Sequence, residues 1–333
     1  MPELLGFAFM QRALLAALLV GVTAPVVGTY LVQRRLALIG DGIGHVALAG
    51  VAIGVLTGTT PVLSALVLAV LAASAIELIR TYGQTSADVA LAVLFYGGIA
   101  AGVVLFSRST SGAASLAGYL FGAITTTTGA DLAVFVALGV GVVAVTWVLR
   151  PRLFAVANDE EYARATGMRV TGYNILLSSL TAVTVVMSMR VVGLLLISAL
   201  MIVPNATAQI LARSFAGTVR WAVAVGVACS VGGVWASYYL ATPSGGTIVL
   251  LAIGVFVASA VVRSLLDRLR RAPAILVHDD HEHSPDCGHE RVEHEGHVDY
   301  LHDGERHRQH ERHYHLHDPD SERRDQAGRG GRG

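Results

Sequence analysis

The chain has 333 residues, 53% of them hydrophobic and 14% charged, with a formal net charge of zero. Its only basic side chains besides histidine are arginines, and the charges crowd into the ends and a few short joints. That distribution excludes an ordinary soluble domain, gives no reason to expect a nucleic-acid partner, and predicts an all-α polytopic protein whose immediate neighbour is membrane lipid.

Apolar stretches near 10–32, 38–57, 61–79, 85–106, 131–149, 172–189, 191–212, 219–240 and 246–266 approach or exceed the ~18 residues of a spanning helix, so about eight or nine crossings are expected. The first stretch is too long for a secretory signal and no clean small-residue cleavage site follows, so it reads as a membrane helix.

The second stretch, LIGDGIGHVALAGVAIGVLT, carries Asp41 and His45 one helical turn apart. A charge at the centre of a spanning helix costs about 2.5–3.5 kcal/mol, so such a residue faces a partner, a cavity or an ion. Positions i and i+4 share a face, and a carboxylate and an imidazole there can converge on one metal ion. The alternative is an internal hydrogen bond that stabilises packing. Gly50, Gly54 and Gly58 recur on a face roughly 140° from His45, where helix backbones can approach closely.

Glu77 and Arg80, three residues apart near the end of the third stretch, read as an interfacial salt bridge rather than as part of a metal site. The segment 113–124 is too short to span and suits a re-entrant helix. Thr125, Thr126, Thr127 and Thr128 follow it, suited either to lining a vestibule or to capping helix ends.

The sizeable polar joint PRLFAVANDEEYARATGMRVTGYN lies between the fifth and sixth stretches. Asn158 or Asp159 can cap a short helix with Glu160 and Glu161 in its first turn, Arg164 later and Gly167 at its end, an order that suits the helix dipole. A short, capped, charged helix of this kind is built for docking on another protein; the plainer reading is a connecting loop. Further on, Pro204 interrupts an apolar helix just before Asn205, making either a gating hinge or a static bend.

The chain divides into a membrane domain, 1–270, and a polar tail, 271–333, that holds twelve of the thirteen histidines. These are His278, His281, His283, His289, His294, His297, His302, His307, His310, His313, His315 and His317. With almost no apolar residues the tail is expected to be disordered, and its imidazoles to bind metal weakly at many sites. Arginines at 34–35, 80, 150–169, 213–220 and 263–271 mark cytoplasmic joints, which puts the tail in the cytoplasm and the chain in the cell membrane. Cys229 and Cys287 suggest no disulfide framework.

The combination of RRLALIGDGIGHVALAGVAIG, YLFGAI, FAVANDEEYARATGMRV and VVGLLLISALMIVPNATAQILARSF resembles the permeases of the ABC-3 family of zinc and manganese importers. The resemblance implies a homodimeric permease of eight or nine helices per subunit, served by a pair of cytoplasmic ATPase subunits and an extracytoplasmic metal-binding protein. It places the G-D-x-x-x-H motif on Gly40, Asp41 and His45 as the metal pair, and a coupling helix on Asp159, Glu160, Glu161, Arg164 and Gly167. Gly42 and Gly44 are extra glycines that would loosen the helix at the site.

A chain without lysine cannot contain the phosphate-binding G-x-x-x-x-G-K-[ST] loop, so hydrolysis is expected in a partner and not in this chain. No permanently bound cofactor is expected. The cargo is a divalent metal, zinc first, with manganese or iron as alternatives. An ion-coupled secondary metal transporter is the rival reading, but it needs a second ligand motif on another span and none is found. An intramembrane metalloprotease lacks its H-E-x-x-H.

Overall fold

The computed structural model describes residues 7–82, 87–108, 112–122, 128–194, 196–270, 290–294, 297–302, 305–310 and 313–316. Contacts divide the chain into two compact units, Met1–Arg263 and Ser264–Gly333.

The described residues form α1 (Ala8–Gln33), α2 (Ile39–Thr57), α3 (Pro61–Tyr82), α4 (Ala87–Phe106), α5 (Gly112–Phe121), α6 (Gly129–Val148), α7 (Arg150–Asn158), α8 (Glu160–Ala165), α9 (Val170–Ser188), α10 (Ile197–Leu211), α11 (Phe215–Leu240) and α12 (Ser244–Arg270). Eight of these are long and apolar enough to cross a membrane: α1, α2, α3, α4, α6, α9, α11 and α12. The chain is therefore a multi-pass membrane protein. Val93, Val140 and Leu250, on α4, α6 and α12, are exposed, as lipid-facing positions should be.

α1 packs against α6, α9, α10 and α11, while α2 lies among α3, α4 and α9. α2 is the most enclosed spanning helix, with 78% of its apolar window buried. Gly50 and Gly54 explain one side of that enclosure. A Cβ on Gly50 would lie 2.6 Å from Ala65 Cα, and one on Gly54 2.8 Å from Pro61 Cα, so α2 and α3 meet backbone to backbone. Gly58 has a different task from its two predecessors: at φ 69° it is the left-handed cap that ends α2.

The stretch 191–212 is not one span. Its first residues form an irregular segment with Gly193 at φ 89°, and only Ile197–Leu211, fifteen residues, is helical. The Leu194 N–H donates to the Tyr119 carbonyl at 2.9 Å, and Ser244 Oγ donates to the Val191 carbonyl at 3.0 Å. Non-helical backbone is tolerated at membrane depth only where protein satisfies it, and here α5 and α12 do so. Within α10, Asn205 Nδ2 donates to the carbonyls of Pro25 and Met201 at 3.0 and 2.7 Å, and Thr29 Oγ1 donates to Asn205 Oδ1 at 2.6 Å. The two proline-containing helices are thus held together by a satisfied buried amide.

Thr128 caps α6: its Oγ1 accepts the Asp131 N–H at 3.2 Å, and Asp131 Oδ2 accepts the Thr128 N–H at 3.1 Å. Thr125, Thr126 and Thr127 lie outside the described residues.

The expectation of a disordered tail is corrected between 290 and 316. β1 (Glu290–His294), β2 (His297–His302), β3 (Glu305–His310) and β4 (His313–Leu316) form an antiparallel meander in that order. Compositional reasoning counts buried apolar area, but the ladder satisfies backbone groups without a large core, and Glu-Gly and Asp-Gly pairs punctuate the sequence between strands.

Candidate metal pair and charged coupling joint

Asp41 falls in the first turn of α2 and His45 one turn later, where the ring is buried, 6% exposed. His45 Nδ1 lies 2.7 Å from the backbone carbonyl of Asp41. A carbonyl only accepts, so Nδ1 carries the proton and Nε2 keeps its lone pair, the form in which imidazole binds a metal. The expected internal hydrogen bond therefore exists, but it uses the Asp41 backbone; among the described residues nothing pairs with the Asp41 carboxylate. Phe95 of α4 sits against the imidazole, ring centroids 4.2 Å apart.

The glycines around the pair are there for packing. A Cβ on Gly98 would come within 2.6 Å of Val46 N, so α4 lies directly on the backbone beside His45. A Cβ on Gly42 would meet Leu91 at 2.5 Å, and one on Gly44 would touch Val185 and Leu194 at 3.5 Å. α2 runs unbroken through both, so these glycines admit α4 and α9 and do not loosen the helix. On Gly40 a Cβ would lie 3.1 Å from Ser198 Oγ, a buried hydroxyl with no hydrogen-bond partner among the described residues. Asp41 and His45 are two potential ligands, and no group of three His, Cys, Asp or Glu that could hold a metal occurs among the described residues.

The second candidate region forms largely as its sequence predicts. Of the two possible caps it is Asp159 that acts, its Oδ1 accepting the Tyr162 N–H at 2.9 Å. Gly167, at φ 82°, closes α8, with its own N–H donating to Arg164 O and Met168 N–H to Ala163 O, both at 3.1 Å. Ala163 is fully buried, whereas Glu161, Tyr162 and Arg164 are exposed.

Glu160 differs from its neighbours by pointing into a charged cluster. Its Oε1 lies 2.7 Å from Arg34 Nη2 and 3.1 Å from Arg80 Nη2, and also accepts from Asn174 Nδ2. Arg80 Nε is 3.2 Å from Glu77 Oε2, and Glu77 Oε1 accepts from Ser178 Oγ at 3.0 Å. Burial opposes the charge on Glu160, but the Asn174 hydrogen bond and the guanidinium groups of Arg34, Arg80 and Arg164 outweigh it and hold the carboxyl below the usual glutamate range. Glu77 is 0% exposed, so it is a buried, hydrogen-bonded acid rather than a carboxylate reaching for the interface.

Sequence reading found the i, i+3 pair of Glu77 and Arg80 but not its connection to Glu160, which spans 80 positions from Arg80 and 126 from Arg34. It also missed Arg190, whose Nη1 lies 3.3 Å from Asp131 Oδ2 and whose Nη2 lies 3.1 Å from the Tyr119 hydroxyl. This second cluster joins the start of α6 to the segment after α9, at the opposite end of α9 from Asn174.

Of the tail histidines, His294, His297, His302, His307, His310, His313 and His315 fall in the strands; His278, His281, His283, His289 and His317 lie outside the described residues.

A helical membrane bundle with a carboxylate–imidazole pair in its most enclosed helix, and a capped polar helix between spans, has the architecture of a transporter's membrane subunit. The ABC 3 transport family matches residues 6–263, and the chain belongs to that family. It is 31% identical to the manganese import system permease protein ScaB of Streptococcus gordonii, over 80% of this chain and 95% of that one. It is 30% identical to the high-affinity zinc uptake system membrane protein ZnuB of Haemophilus influenzae, over 78% of this chain and all of that one. Among solved structures it is similar to PsaBC from Streptococcus pneumoniae in complex with Fab, with 32% identity, a TM-score of 0.72, and coverage of 78% and 93% of the two chains.

Proposed function

We propose that this chain is the permease subunit of an ATP-binding-cassette importer that carries a divalent transition metal, zinc in the first instance, into the cytoplasm. The observation that carries the reading is His45: a buried imidazole in the most enclosed helix, with Nδ1 committed to the Asp41 carbonyl and, among the described residues, no partner on Nε2 or on the Asp41 carboxylate. Relatives named for manganese and for zinc support metal import and leave both ions in play. Two copies of the chain would bring two Asp41 and two His45 side chains to a shared axis, four ligands that suit tetrahedral zinc and that water can complete for manganese or iron.

The energy comes from a pair of ATPase subunits, since a lysine-free chain cannot form the phosphate-binding loop. They dock on α8 through exposed Glu161, Tyr162 and Arg164, with Asp159 and Gly167 fixing the ends of the helix. An extracytoplasmic binding protein delivers the ion at the other face. The histidine-bearing tail, on the cytoplasmic side, acts as a metal buffer or sensor. In support, the register pairs His294 with His297 and His310 with His313, which gathers four histidines at one end of the sheet.

The test is uptake into vesicles that contain this chain with its ATPase, comparing zinc with manganese. ATP-dependent zinc uptake should fall at least tenfold, on the order of the loss of a metal ligand, in Asp41→Ala and in His45→Ala. Uptake indifferent to both changes would move the site elsewhere.

A further inference from the structure

The six residues of α8 divide sharply: Glu161, Tyr162, Arg164 and Ala165 face outward, Ala163 packs inward, and Glu160 alone reaches the charged cluster. One carboxylate oxygen of Glu160 is held by Arg34 at the end of α1, by Arg80 on α3 and by Asn174 on α9. Beyond it, Arg80 is tied to Glu77, and Glu77 to Ser178 on α9. We infer that Glu160 is the positioning residue through which movement of α8 is passed to the metal-bearing helix, an inference that rests on α8 being the ATPase-docking element.

The path is continuous. A shift of α8 must either break three charge-assisted or amide hydrogen bonds to one oxygen or carry Arg34 and Arg80 with it. Arg80 belongs to α3, and α3 meets α2 backbone to backbone at Gly50 and Gly54. Arg34 caps α1, and five residues later α2 begins, with Asp41 in its first turn. Both routes end at the helix that holds Asp41 and His45. The hydrophobic contacts under α8 are small: Ala163 with Val156 and Val170, flanked by Met168 and Tyr173. They seat the helix next to α7 and the start of α9. The ion-pair node ties α8 directly to α1 and α3.

The experiment compares the full chain, reconstituted with its ATPase in proteoliposomes, in wild type, Glu160→Gln and Arg80→Lys. The quantity measured is zinc imported per ATP hydrolysed, with ATPase co-purification as the second readout. Glu160→Gln should keep the ATPase bound and hydrolysing while zinc per ATP falls at least about fivefold, a typical coupling free energy between sites. Arg80→Lys, which loses the separate Nε and Nη2 donors that reach Glu77 and Glu160, should lower the same ratio. A merely structural tie would lower uptake and hydrolysis together, and an unchanged ratio would overturn the inference. So would failure of both variants to accumulate, which would assign the cluster to folding. Loss of the docking reading looks different: in that case the wild type itself would fail to hold the ATPase.

Discussion

Glu160 and Glu77 show how two acids at the same end of a bundle come to differ. Glu160 is about one-third exposed and is stabilised as a carboxylate by three guanidinium groups and an amide. Its folded pKa is lowered, so its contribution to stability is present above the ordinary glutamate pKa of about 4.3 and is lost as pH falls through the lower folded value. Thermal unfolding should then separate wild type from Glu160→Gln at pH 7 by no more than about 1 kcal/mol, since the group is partly solvated. The gap should close in acid; a gap of the same size at pH 3 would show that charge is not what Glu160 contributes. The pairing of Asp41 and His45 was legible in the sequence because one helical turn is a fixed geometry. That the hydrogen bond uses the Asp41 backbone carbonyl and not the carboxylate was not legible, because spacing brings residues together without choosing the atoms.

At the level of elements, period and caps carried most of the information. Eight spanning helices, the Asp159 cap and the Gly167 terminator follow from local rules. The break after Met189 does not, because it depends on the Leu194 N–H finding the Tyr119 carbonyl and the Val191 carbonyl accepting from Ser244 Oγ, partners far away in the chain. Glycines make the same point with opposite signs. Replacing Gly by Ala in a helix gains up to about 1 kcal/mol in propensity. Gly97 has nothing within 4 Å of an added Cβ, so Gly97→Ala should be neutral or stabilising. Gly50→Ala would drive its methyl group into the backbone of Ala65, at a cost of about 1–3 kcal/mol that outweighs the propensity gain. Melting both variants in detergent checks this: a Gly50→Ala protein as stable as wild type would mean that α2 and α3 can separate freely.

For the whole molecule, the division into a family-matched membrane unit and a separate C-terminal unit sets what can be removed. Residues 6–263 carry the family match, and the strands begin at Glu290. Deleting residues 273–333 should leave zinc uptake by the core within about twofold of wild type while changing how uptake responds to internal zinc, as expected for a buffer at imidazole sites. Uptake with an unaltered response would remove the regulatory role from the tail. The tail's composition announced its histidines, but strand pairing depends on register between segments, which composition does not encode.

At Gly50 against Ala65 and Gly54 against Pro61 the backbones of α2 and α3 touch, which leaves little between them to absorb a shift. The pair is in effect a stiff two-armed lever pivoted where Gly50 meets Ala65. Counting 1.5 Å per residue, the arm from the pivot to Arg80 is roughly 22 Å long and the arm to Asp41 roughly 14 Å. A pull of one ångström at the charged cluster would arrive at Asp41 as about 0.6 Å, so the hairpin trades distance for force on its way to the proposed ion site.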